Sequence, residues 1–402
     1  MSQHLASPRS LASASLLALA APLATSGAAQ AAALEQTVPA AIRLLYQEGR
    51  YAEFGISYTD PDQSGEGATI PAGVLAPFAI PLEGNTGDVF DDRWNISAAY
   101  KADLNDKFSY ALIFDEPLWA ATRYGAAAFT NSAFGINEQL YAGSKADVKT
   151  YQVSAVLSYD VNPSVKLYGG LRAQRLDAEA AVAFVADYSV KADNKWGYGW
   201  LVGAAYERPE IALRVALTYQ SKVGYGLDTR ETITPPGAPG PVTQDTETDV
   251  DTPQSVQLDF QTGVAPKTLV FGYVRWVDWS EFSVKPPVYE DTTAALLGEG
   301  RPLIQYGDDW WTYNLGVGRQ LTDSLAGSVS ITWEPSVGGE MTSLGPYDGR
   351  TTGTVALSYE VNSFDITGGI TWGVLGDTEN LLETDFNDGS VWGLGLRVGY
   401  TF

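Results

Sequence analysis

The feature that most restricts what this chain can fold into is a period of two. From Tyr51 to the C terminus, stretches of about ten residues alternate apolar and polar side chains, as a β-strand with one greasy face requires. The last stretch is the clearest. Trp392, Leu394, Leu396, Val398, Tyr400 and Phe402 share one phase, and Gly393, Gly395, Arg397, Gly399 and Thr401 share the other. Fourteen such segments follow one another. The first seven are Ala52–Thr59, Trp94–Asp103, Phe108–Asp115, Val148–Tyr159, Val165–Ala173, Gly197–Tyr206 and Ile211–Ser221. The others are Ser255–Thr262, Leu269–Asp278, Trp311–Gln320, Leu325–Trp333, Thr354–Val361, Phe364–Trp372 and Val391–Phe402.

The links between them alternate long and short without exception. The short ones are 104–107, 160–164, 207–210, 263–268, 321–324 and 362–363, each set between long ones such as 60–93 and 373–390. Short turns at one end and long loops at the other describe a membrane barrel, whose strand number is even when both chain ends lie on one side. A soluble sandwich has no reason to keep that rhythm. Beyond Ala33 no run reaches the ~18 consecutive apolar residues of a spanning helix. The expected fold is therefore all-β, a fourteen-stranded antiparallel transmembrane β-barrel of outer-membrane type. Aromatic residues near segment ends, among them Trp94, Phe108, Tyr159, Tyr206, Trp276, Trp311, Trp333, Trp372, Trp392 and Phe402, suit an interfacial girdle. Core aromatics of a soluble β protein are the alternative.

Ahead of the strands lies a leader. Arg9 precedes an apolar stretch from Leu11 to Leu23, and Ala29-Gln30-Ala31 fits a small-residue cleavage site, so residues 1–31 read as a signal peptide. Pro22 and the short apolar core argue against an N-terminal membrane anchor. This leaves a short periplasmic or lumenal segment over 32–50 and a barrel over 51–402.

Composition then narrows function. The chain carries 25 Lys+Arg against 48 Asp+Glu, a net charge of −23, with no Cys and one His. That histidine is His4, inside the leader, so the exported chain is expected to use neither imidazole nor thiol. Ser-His and Cys-His catalysis and Cys/His metal centres fall away, and no catalytic residue, metal or cofactor is expected. The acid excess speaks against a nucleic-acid partner, which needs a basic footprint. Much of it sits in links, at 245–251 and 377–388, as a solvated face or as carboxylates bridged by divalent ions to lipopolysaccharide.

Several motifs carry a specific resemblance. Leu213-Arg-Val-Ala-Leu-Thr-Tyr-Gln-Ser-Lys222 is similar to a characteristic strand of the FadL/TodX family of outer-membrane transporters. Trp196-Gly-Tyr-Gly-Trp200, Tyr273-Val-Arg-Trp-Val-Asp-Trp-Ser-Glu-Phe282, Asp308-Asp-Trp-Trp-Thr-Tyr-Asn-Leu-Gly316 and Ile56-Ser-Tyr-Thr-Asp-Pro-Asp62 keep the family's order. The resemblance runs from about Val38 to Phe402. It implies a monomeric barrel in the outer membrane of a Gram-negative bacterium, taking long-chain fatty acids or aromatic hydrocarbons from outside and releasing them sideways into outer-membrane lipid. The family's N-terminal hatch, ending near an Asn-Pro-Ala motif, has only Val38-Pro39-Ala40 in its place, so the hatch is expected to be missing. The lumen is then open, or closed by inward loops and the Leu34–Glu48 segment, whose Ile42, Leu45 and Tyr46 share a helical face.

The family's third strand kinks inward to open a lateral gap, which here points to Pro117, a residue with no N–H for the ladder; a proline that merely starts a loop is the alternative. The following stretch, Leu118–Tyr141, is apolar for an external link, and its Trp119, Phe129 and Phe134 are expected to form a capture surface for a hydrophobic substrate, or else to fold inward and cap the barrel. A fatty-acid carboxylate calls for an inward cation clear of the strand ends. Strand phase selects Arg172 and Arg214, unless these pair with inward acids such as Asp259. A diffusion porin for small polar solutes is the competing function. A barrel hydrolase is the third class, and it lacks its histidine.

Overall fold

In the computed structural model the described residues are 34–35, 41–72, 76–235 and 237–402. The leader with its cleavage site, the Val38-Pro39-Ala40 motif and the Ile42 side chain lie outside them.

The alternating segments are the strands of a closed antiparallel barrel. In chain order they are β1 Arg50–Ile70, β2 Arg93–Asp103, β3 Phe108–Asp115 continued by Trp119–Arg123, β4 Lys145–Asn162 and β5 Val165–Val182. Next come β6 Tyr188–Arg208, β7 Leu213–Gln220 continued by Val223–Ile233, β8 Val242–Thr252 continued by Ser255–Ala265, β9 Thr268–Val277 and β10 Trp310–Gln320. The last are β11 Leu325–Glu334, β12 Arg350–Val361, β13 Phe364–Leu375 and β14 Asp385–Thr401. Each pairs with the next along at least part of its length, and β14 pairs back onto β1 with Thr401 opposite Tyr51, which closes the sheet on itself. The short links turn as their asparagines dictate. Asn105 Oδ1 accepts from the Lys107 and Phe108 amides (2.9 and 3.0 Å), and Asn362 takes the left-handed conformation (φ 54°) that a two-residue hairpin needs.

Burial inverts the order found in soluble proteins. Leu171 is 73% exposed and Leu357 52%, whereas Arg397 is 1% and Thr367 0% exposed. Only a hydrocarbon surround makes that arrangement favourable, so the apolar phase faces lipid and the polar phase lines the lumen. Replacing Leu357 by Arg should therefore destabilise the barrel by ~2–4 kcal/mol in lipid vesicles, read by urea titration, and an unchanged midpoint would remove Leu357 from the lipid face.

Several strands outrun the segments read from the sequence, which was not expected: β1 continues to Ile70, and Val242–Thr252 is a full strand paired with Val223–Ile233. Of the two states of the lumen that the sequence leaves open, the structure has it filled at its periplasmic foot. The helix α1, Ala41–Leu45, buries Leu44 and Leu45 against Tyr51, Ala99, Ala111, Ile113 and Val156, and Arg43 pairs with Glu53. Residues 34–35 and 41–48 thus lie within the barrel.

Candidate functional site

The wall is least regular between β2 and β3. These strands pair from Asp103–Ser109 to Ala98–Phe114 and no further. Pro117 follows, where the missing N–H ends ladder bonding, and β3 resumes at Trp119 along β4. Farther out its other edge is bridged to the lead-in to β2, the Asp91 amide donating to the Ala121 carbonyl (3.1 Å) and the Arg123 amide to the Val89 carbonyl (2.8 Å), and just below, at Leu118–Trp119, that edge meets the N-terminal segment. There Leu118 forms a bridge with Glu35, and the Trp119 amide donates to the Leu34 carbonyl at 2.9 Å. β2 meanwhile stays paired with β1 as far as Arg93 opposite Thr59. The two strands part, and side chains span the opening. The Ile96 amide donates to Glu116 Oε2 (3.1 Å), Asn95 Nδ2 to the Glu116 carbonyl (3.3 Å), and Arg93 pairs with the Glu116 carboxylate (3.2 Å). The Arg93 guanidinium also lies 5.0 Å from the Trp119 ring centre. Between the Ala98–Phe114 pair and the Phe90–Thr122 bridge the seal is made of side chains that can let go singly, where elsewhere it is a cooperative ladder.

Two recesses flank the Leu34–Glu35 bridge. The outer one is lined by apolar and aromatic groups including Leu34, Phe90, Trp119, Tyr306, Leu344 and Tyr347. The inner one is richer in polar and charged groups and includes Glu35, Asp115, Pro117, Gln152, Arg172 and Arg275. Arg275 Nε donates to Glu35 Oε2 at 3.0 Å and its Nη2 to the other carboxylate oxygen, a bidentate pair between the N-terminal segment and β9. Arg172 has neutral hydrogen-bond partners, Gln152 Oε1 at 3.0 Å and the Ser221 carbonyl at 3.2 Å.

Pro117, Trp119 and Arg172 thus meet at one place, and the other expected residues do not. Arg214 was expected clear of the strand ends, but β7 begins at Leu213, which puts Arg214 at the periplasmic foot. There it pairs with Glu207 (3.2 Å) and covers the Tyr46 ring at 4.0 Å. The apolar link is no single capture face either. Trp119 turns into the lumen, and Phe129 is fully buried in a separate core with Ile80, Leu82, Tyr141 and Phe386. Phe134 alone is on the outside, 53% exposed at a tip where its ring packs 5.8 Å from that of Phe78. Asp259 bonds Gln257 (2.8 Å). Sequence reasoning missed Glu35, Arg93, Glu116 and Arg275; Glu116 stands beside the proline it serves, and Arg275 lies in a quoted motif.

The profile of the family described as outer membrane protein transport protein (OMPP1/FadL/TodX) matches residues 2–365. No curated protein matches the chain by sequence. Among solved structures, a Pseudomonas aeruginosa FadL homologue superposes with a TM-score of 0.70 at 14% identity, covering 89% of this chain and 91% of its own. The P. putida toluene transporter TodX gives 0.66 at 13%, covering 95% and 98%. The CymD monoaromatic hydrocarbon channel gives 0.58 at 11%, covering 91% of each chain. Identities this low establish a shared barrel and leave the cargo to be argued from the site.

Proposed function

The chain belongs to the outer membrane protein transport family (OMPP1/FadL/TodX), and we propose that it admits hydrophobic molecules from outside a Gram-negative cell and releases them sideways into the outer membrane beside Pro117. The observation that carries this reading is the parting of β2 and β3 next to an apolar recess. Axial exit is disfavoured because Leu44 and Leu45 fill the foot. For the same reason a polar diffusion porin is the weaker reading.

The apolar outer recess suits an aromatic hydrocarbon or the tail of a long-chain fatty acid. Arg172 shares the inner recess with Asp115 and Glu35, but its hydrogen bonds go to neutral groups, so it can take a fatty-acid carboxylate without breaking a direct hydrogen bond to an acid. Trp119 forms the wall between gap and recess, and Phe134 is the outermost apolar contact. All parts come from one chain, which acts as a monomer surrounded by outer-membrane lipid.

Uptake of labelled oleate and of toluene by cells producing each variant tests the assignments. Arg172→Gln should lower oleate uptake about tenfold and spare toluene, as the loss of a charge-assisted hydrogen bond worth ~1.5 kcal/mol implies. Equal uptake of oleate by both proteins would remove Arg172 from the route. Pro117→Val should slow both compounds several-fold, and unchanged transport would sink the gate.

A further inference from the structure

One side of the outer wall carries a layer of cations. Lys149 on β4, Arg175 on β5, Lys195 on β6 and Lys222 in the β7 break lie on neighbouring strands next to girdle aromatics. Alternation turns Arg175 outward, since Arg172 and Gln174 are buried and Leu171 is exposed. Tyr151 and Trp196, both exposed, are its direct cross-strand neighbours on either side. Arg175 stands ten residues along β5 from Val165. At ~3.3 Å per residue and a tilt of ~40° that is ~25 Å above the periplasmic turn, the height of the apolar band, so Arg175 sits at the outer-leaflet headgroups.

Its neighbours in the layer are engaged with acids. Lys149 pairs with Asp147 (3.3 Å), Lys195 with Asp228 (2.8 Å) and Lys222 with Asp251. The guanidinium of Arg175 takes part in no hydrogen bond or ion pair among the described residues. Asp177 and Glu179 follow it on the same outward face, farther from the membrane. Elsewhere around the rim the girdle tryptophans meet acids instead, Trp392 donating to Asp60 (3.0 Å) and Trp276 to Asp309 (2.8 Å).

We propose that the β4–β6 face binds a phosphorylated headgroup of an outer-leaflet lipid, with Arg175 on the phosphate, Lys149 beside it, and Tyr151 and Trp196 at the junction of headgroup and acyl chains. A planar guanidinium presents paired donors to phosphate oxygens, and amphipathic rings hold this boundary. A half-exposed arginine between two girdle aromatics and without a protein partner is complementary to such an anion. The inference rests on the outer-membrane placement and is independent of the route taken by the cargo.

The test is lipid retention by the purified full-length protein, read by native mass spectrometry after titration with bisphosphorylated lipid A or its dephosphorylated form. The wild type should retain the bisphosphorylated form at least tenfold better. Arg175→Gln with Lys149→Gln should erase that preference, whereas Arg230→Gln, farther out on the hairpin, should keep it. Retention should survive EDTA and an excess of inorganic phosphate. Preference unaffected by the double substitution, lost equally in Arg230→Gln, or abolished by EDTA through divalent bridging to the acids would each overturn the proposal. Displacement by inorganic phosphate would likewise show an anion site with no lipid component. Oleate uptake by the double variant should stay at the wild-type level, which separates a failure here from a failure of the transport reading.

Discussion

Arg275→Met is expected to turn a quiet barrel into a conducting one. The Leu34–Glu35 end of the N-terminal segment is held in the lumen by three contacts of unequal strength. The Trp119 amide bond to Leu34 contributes about 1 kcal/mol and the burial of Leu34 roughly 2 kcal/mol. The bidentate Arg275–Glu35 pair dominates, because removing one partner of a buried pair leaves a bare charge at a cost of ~3–5 kcal/mol. In Arg275→Met the Glu35 carboxylate should leave for water, and Leu34 and the bridge to Leu118 should go with it. That joins the outer and inner recesses. Planar-bilayer recordings should show little steady conductance for the wild type and frequent openings for the variant. Glu35→Gln, which keeps hydrogen-bonding capacity without the buried charge, should fall between them. A correctly folded Arg275→Met protein that stays as silent as the wild type would show that α1 and the foot packing alone close the lumen.

The barrel was legible because hydrocarbon imposes a strict rule: outward positions must be apolar wherever lipid touches them. Val355, Leu357 and Tyr359 alternate with Thr354, Ala356 and Ser358 for that reason, and the phase holds through every strand at membrane depth. Above the membrane the rule lapses. Val242–Thr252 is strand, but its outward Asp245, Glu247, Asp249 and Asp251 face water, so its period marks charge against Thr and Val and reads as an acidic loop. The same limit hid the extension of β1 past Thr59.

The site was legible in part. Pro117 marks the stretch where the β2–β3 ladder has ended, and the phase of β5 gives the inward direction of Arg172, though not its role. Arg214 misled because phase gives direction and not height: one more turn residue at 212, in the left-handed conformation (φ 50°), starts β7 later and leaves the arginine at the foot. The partners of the gate come from afar. Glu35 and Arg275 are separated by 240 positions, and no local pattern links them.

The central claim is that cargo leaves through the wall between β2 and β3. Continuing the register beyond Ala98–Phe114 sets Asn95 opposite Pro117. Since the chain has no cysteine, Asn95→Cys with Pro117→Cys supplies the one thiol pair, and a disulfide there requires the strands to close to ~5.5 Å between Cα atoms. Uptake of a hydrophobic probe by the oxidised pair should be at least tenfold (about 1.4 kcal/mol) below that of the same variant in its reduced form, whatever the reduced variant loses with Pro117. Complete cross-linking, verified by mobility, with uptake undiminished would contradict lateral release.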